Sequence, residues 1–394
     1  MRPARRFLLV FFLPVLAVLP LGLADVLVLD HGGELLTGPQ VAARQGEDGG
    51  LYGTAIHDNV HAYKLALYRL RRPDVAVIGS SRVLQMSQAM FTASFANLGR
   101  TVNYPNEAVA TVDAMLSIHV PRLVLFGLDP WWLNPRWEHA PTFESHARLG
   151  GDLDPESLMA PLRWLADGRI GWPLYRDLLQ GSLPYREDGL ALYGVQAIVE
   201  RAGFRPDGSY YRGDVLTGGK PASDAGFADT LARVAGDAAQ FRRGDTIAQE
   251  RLDALRRAVA TLQQAGVTVV TFLAPVAPPV AAAMAGEGER FAYLEQARAA
   301  LADLGAPHLD AWDATGLGSD ACEFDDGFHH GEVADLRILL ALSALPGRLL
   351  DGYVDPARLR QLLEANAGRA QVFLDGARPG EAEVDFLALG CLKG

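Results

Sequence analysis

The sequence predicts an α/β chain built on a parallel, doubly wound sheet. Three observations predict it. Short, near-continuous apolar runs recur, amphipathic stretches of helical period separate them, and the alternation resumes after a long interruption. With 49% hydrophobic and 21% charged residues in 394, the chain folds around a core, which excludes disorder as its main state.

The elements follow in order. Tyr63 to Arg71 reads as a short amphipathic helix, and Asp74-Val-Ala-Val-Ile78 as a buried strand ending at Gly79. Ser81 to Met90 suits a helix, Phe95-Ala-Asn-Leu98 a second strand, Asn106 to Ile118 a second helix and Leu123-Val-Leu-Phe126 a third strand. From residue 134 to about 245 the beat is lost among Pro, Gly, Trp and Tyr clusters. This stretch reads as an insertion over the active face, part helix and part loop. A helix from Ile247 to Ala265, stopped by Gly266, precedes the strand Val267 to Leu273. A helix from Phe291 to Leu304, a short strand Pro307 to Asp310 and a helix after Gly331 complete about five strands in a domain spanning 61–350. Residues 25–60, Gly-rich and weakly periodic, read as a stalk or lead-in, and 351–394 as a tail.

The ends and the composition narrow the function. Three arginines precede 18 uncharged residues, Phe7 to Ala24. That is the lower limit for a spanning helix, so residues 1–24 are expected to anchor the chain with everything beyond residue 25 outside the cytoplasm. Gly22 and Ala24 offer the alternative of a cleaved signal peptide and a secreted product. The net charge of −11 argues against a nucleic-acid partner. Lys64, Lys220 and Lys393 are the only lysines, and none sits in a GxxxxGK[ST] run, so phosphate-loop nucleotide chemistry is excluded. Cys322 and Cys391 form no CxxC, which excludes a cysteine-cluster zinc site; an exported chain permits a disulfide between them. His57 and His61 share metal-pair spacing without the Glu of HExxH, and Glu138, His139, Glu144 and His146 read better as a solvated loop.

One constellation carries chemistry. Val77-Ile-Gly-Ser-Ser81-Arg82 sets a serine directly after the first strand, where a helix N-terminus would favour a forming oxyanion. Asp325-Asp326-Gly-Phe-His329-His330-Gly331 supplies, after the last strand, an Asp-x-x-His turn in which a carboxylate orients an imidazole. Asp326 and His329 fit that spacing; Asp325 and His330 are the one-residue slips. Arg82 is a candidate to bind an anionic group or pair with an acid, and Trp131 and Trp132 to line an acyl or sugar pocket or pack beneath the insertion.

This arrangement resembles the SGNH/GDSL hydrolase superfamily. Gly79-Ser80-Ser81 is similar to its first block and Asp326-Gly-Phe-His329 to its last. The segment Gly127-Leu-Asp-Pro-Trp-Trp-Leu-Asn134 and the N-terminal run look most like its extracytoplasmic branch, which includes alginate O-acetyltransferases and the D-alanyl transfer protein of teichoic acid synthesis. The resemblance implies a flavodoxin-like three-layer fold with a cap-like insertion. It further implies Ser81 as nucleophile, His329 as base, Asp326 as its orienter, and no metal or organic cofactor. Members of that extracytoplasmic branch typically take an acyl group delivered across the membrane by a membrane-bound O-acyltransferase and place it on a glycan. The expected function is therefore acyl transfer to an envelope glycan, with an esterase or a non-catalytic accessory subunit as alternatives. Two positions depart from the pattern. Asp129 stands where the third block carries its oxyanion Asn, leaving Asn134 or Asn103 to substitute, and the second-block glycine corresponds to Gly99 before Arg100-Thr-Val-Asn103. The expected oxyanion donors are thus Ser81, Gly99, Asn103 and Asn134, and Arg82, Asp129, Trp131 and Trp132 the expected lining.

Overall fold

The computed structural model describes Phe12 and residues 19–56, 59–138, 156–374 and 382–393. Ten strands lie in these residues: β1 Leu51–Tyr52, β2 Val75–Gly79, β3 Phe95–Gly99, β4 Leu123–Leu128, β5 Tyr185–Glu187, β6 Leu190–Tyr193, β7 Ala202–Phe204, β8 Tyr210–Arg212, β9 Thr268–Leu273 and β10 His308–Asp310. They form two sheets.

The main sheet is all-parallel, in the order β10-β9-β4-β2-β3. Numbered within the sheet this is 2-1-3-4-5, a doubly wound topology that reverses direction between β2 and β4, the place where ligands bind in such sheets. Alternation along each strand divides the core into two layers. Ala76, Ile78, Val124 and Phe126 join one apolar cluster with the helices Pro105–Ile118 and Gln249–Gln264. Val75, Val77, Leu123 and Leu125 face the other, against the helix Glu332–Ser343 and Leu359 of Pro356–Asn366. The helix Gln249–Gln264 ends as expected, with Gly266 at φ +83° just past its cap.

Three expectations are corrected. Ser81–Met90 is not one helix. Only Ser81–Val83 and Gln88–Met90 make single 3-10 turns, because the buried Asn97 side chain donates to the carbonyls of Val83 (2.7 Å) and Met86 (2.8 Å), taking acceptors a helix would use. The insertion is not merely helix and loop, for β5 to β8 build a second, mixed sheet in the order β5-β6-β1-β7-β8. Its central strand, β1, comes from the supposed stalk, pairing parallel to β6 and antiparallel to β7. Residues 25–56, expected to form a stalk, are therefore packed structure. Val28, Leu29, Glu34, Val41 and Tyr52 are buried, and the Glu34 carboxylate accepts the N–H groups of Ala55 (3.0 Å) and Val195 (2.6 Å).

The tail, whose shape the sequence leaves open, has regular structure among its described residues. It contains the helix Pro356–Asn366, and a disulfide joins Cys391 to Cys322 with Cα atoms 5.8 Å apart. Most of the expected anchor, residues 7–24, lies outside the described residues. Among those described, no helix is long and apolar enough to cross a membrane.

Candidate active site

β2 ends at Gly79, whose φ of +152° turns the chain sharply, and Ser80 caps the following turn by accepting from the Arg82 N–H at 3.3 Å. That turn sets Ser81, half-buried, at the carboxyl end of the main sheet. The helix dipole expected behind it is reduced to a single turn.

The partner turn lies after Cys322. Asp326 Oδ1 accepts the N–H groups of Phe328 (2.9 Å) and His329 (2.8 Å), closing a local Asx turn. Asp326 Oδ2 lies 2.7 Å from His329 Nδ1, and His329 Nε2 lies 2.8 Å from Ser81 Oγ. The carboxylate fixes Nδ1 as the protonated nitrogen and leaves Nε2 to accept from the serine hydroxyl. Burial pushes the His329 pKa below its ordinary value, with Arg212 and Arg82 adding to the effect and Asp326 opposing it. Burial works against charge on Asp326 as well, but His329, Arg212 and the turn's N–H groups outweigh it and hold the carboxyl well below the usual range. The base is therefore neutral and its orienter ionised near neutral pH.

The slipped pair does other work. Asp325 Oδ2 accepts from Arg212 Nε and Gln85 Nε2, both at 2.8 Å, and burial raises its pKa to about 7 despite Arg212. The fully buried His330 lies 2.8 Å from Asp335. A support missed by sequence reasoning is Asp224 in the insertion, whose carboxylate accepts the Gly327 N–H at 2.8 Å and the Thr230 hydroxyl, holding the Asp326–His329 turn in place.

The oxyanion expectations fare differently. Gly99 N–H donates to Asn97 Oδ1 at 2.7 Å. Asn103 Nδ2 donates to the Arg100 carbonyl and its backbone N–H to Glu107. Asn134 is fully buried under the insertion, donating to the Arg242 carbonyl at 2.6 Å. Of the four candidates, the Ser81 backbone N–H is left adjoining the nucleophile.

The four lining candidates are structural. Arg82, 1% exposed, donates from Nη1 to Asp129 (2.7 Å), from Nε to the Phe328 carbonyl (2.7 Å) and from Nη2 to the Ala274 carbonyl (2.8 Å). Its guanidinium lies over the Trp131 ring at 4.8 Å. Trp131 and Trp132 belong to the core, at 3% and 0% exposure. Arg82 thus uses its planar fork to tie the Ser81 turn to the His329 turn and the end of β4, positions brought together by the parallel sheet rather than by sequence.

What lines the open space is the second sheet. A cavity of about 540 Å³ is lined by Ser81 and His329 together with Tyr52, Asn59, Gln196, Tyr210 and Arg212, and by Arg100 just past β3. Its polar, partly aromatic character was not legible beforehand, because the contributing strands are two to four residues long. As for metals, His57, His139, Glu144 and His146 lie outside the described residues. His61 is buried with Nε2 donating to the Thr101 carbonyl, and Glu138 is exposed. Among the described residues, no cluster of His, Cys, Asp and Glu is placed to hold a metal ion.

No protein-family model matches the chain, and no curated protein matches it significantly.

Proposed function

We propose that the protein is an SGNH-like serine acyltransferase that moves an acyl group onto a glycan of the cell envelope. The observation that carries the reading is the continuous relay Ser81–His329–Asp326, with contacts of 2.8 and 2.7 Å between groups on two distant turns. The 2-1-3-4-5 strand order and the serine at its switch point support it.

In this reading His329 Nε2 removes the Ser81 proton as Oγ bonds to the acyl carbonyl carbon. The tetrahedral adduct then collapses, and His329 returns the proton to the departing oxygen of the donor. An acceptor hydroxyl next gives its proton to His329 and attacks the acyl-serine, releasing the acylated acceptor and restoring Ser81. Asp326 keeps the ring in its tautomer throughout. The reaction requires no metal or organic cofactor. The donor side fits a membrane-bound O-acyltransferase as partner, and the N-terminal apolar run fits a tether on the outer face of the inner membrane.

The test is fluorophosphonate labelling of the full chain in detergent, alongside Ser81→Ala. Labelling confined to the parent protein is expected. A folded parent that shows no Ser81-dependent labelling would sink both transferase and esterase readings and leave the accessory subunit. Where labelling occurs, acetyl-ester turnover with and without oligosaccharide acceptors separates transfer from hydrolysis.

A further inference from the structure

We propose that Asn59 is the missing oxyanion donor, its side-chain amide donating to the acyl carbonyl oxygen beside the Ser81 backbone N–H. The proposal rests on the acyl-serine reading above.

Asn59 immediately precedes the helix Val60–Arg71, where an asparagine ordinarily turns its side chain back to cap the first N–H groups. Here it makes no side-chain cap. Its Oδ1 instead accepts from the Tyr52 hydroxyl at 2.7 Å, which fixes the amide plane and leaves Nδ2 on the opposite side. Asn59 is 4% exposed, and its Nδ2 is buried without a hydrogen-bond partner. A buried amide left unpaired costs about 1–3 kcal/mol, so a fold that keeps one in the wall of the cavity that also holds Ser81 has a donor in reserve for an incoming oxygen.

The position is tied to the nucleophile through two bonds. His61 donates to the Thr101 carbonyl at 3.1 Å, and the Arg100 N–H donates to the Ser80 carbonyl at 3.1 Å. Asn59, Val60, Ser81 and His329 consequently line one cavity. Two further facts converge. The donors expected at Gly99, Asn103 and Asn134 are all engaged elsewhere. Independently, the 12-residue helix Val60–Arg71 begins at the cavity wall, so its N-terminal dipole favours negative charge there.

The test uses the full chain in detergent, with Asn59→Ala, the isosteric Asn59→Asp and Tyr52→Phe. It follows the rate of Ser81-dependent fluorophosphonate labelling and p-nitrophenyl acetate turnover, each scaled to the folded fraction by circular dichroism. Asn59→Ala should lower both the labelling rate and kcat by roughly 10²–10³-fold, with KM within twofold and the thermal midpoint lowered no further than in Tyr52→Phe, which loses the same bond. Asn59→Asp should lose at least as much, because a carboxylate repels the developing charge. Tyr52→Phe, which only unlocks the amide, should shift the same quantities less. Wild-type labelling rates in both Asn59 variants, or a raised KM with intact kcat, would overturn the assignment while leaving the acyl-serine reading standing. Absence of Ser81-dependent labelling in the parent protein would overturn both.

Discussion

At the scale of single residues, the acyl-serine reading places two demands on His329: it must be neutral to accept the Ser81 proton, and held in one tautomer. Because burial places its pKa below the ordinary 6.5, activity should persist to below pH 6.5 and be lost only as pH falls further through the folded value. Asp326→Asn removes the one influence raising that pKa. The acid limb of kcat/KM should therefore move to still lower pH while kcat falls by roughly 10⁴-fold. A limb that moves upward, or stays put with kcat intact, would contradict the relay. Arg82 makes a different prediction. Its guanidinium is buried among Asp129, two aromatic rings and three backbone carbonyls, so Arg82→Lys should destabilise the fold by about 3 kcal/mol in urea, with KM of the folded fraction unchanged. A raised KM at parental stability would instead restore it to the substrate.

Elements carry the next level. Gly208, in the turn joining β7 to β8, sits at φ +85°, and an added Cβ would come 2.3 Å from the Asn97 carbonyl of β3. Lys64 bridges the same junction, donating from a fully buried ammonium to the carbonyls of Asn97 and Gly208. Gly208→Ala should cost more than the roughly 1–2 kcal/mol of left-handed strain alone, since it also lifts the second sheet from β3. Urea unfolding read by tryptophan fluorescence measures the stability loss, and p-nitrophenyl acetate turnover of the folded fraction should fall with it. Unchanged turnover would detach the second sheet from the site. The same junction marks the limit of what sequence alone conveys. Asp74–Ile78 and Asp326–His329 are legible because an apolar run and an Asx turn are encoded within a few neighbouring residues. β1, two residues long, and β5 to β8 are too short for any period to register, and β1 finds its partner β6 only across some 140 residues. For Arg82 the sequence leaves an anionic ligand and an acid partner both open, and the structure gives the acid. Nothing near Arg82 in sequence reveals that Asp129 and the Ala274 carbonyl converge on it.

At the scale of the whole molecule, the disulfide matters most. Cys322 lies four residues before Asp326, and Cys391 joins it across a separation of 69, with Lys393 Nζ donating to the Cys322 carbonyl at 2.7 Å. Closing a loop of that size restricts the unfolded chain enough to contribute about 4 kcal/mol. Cys391→Ser, or reduction of the parent protein, should lower the urea midpoint accordingly; equal midpoints would show the bridge to be energetically idle. The mixed sheet has a consequence of its own. Chain passes between it and the main sheet three times: after Tyr52, ahead of Tyr185 and again after Arg212. A sheet joined to its neighbour by one strap could swing on it, whereas this one is tied to the main sheet by three chain crossings. In the acyl-serine reading, substrates would be sorted by whether they fit the cavity this sheet helps to line, as by a sieve.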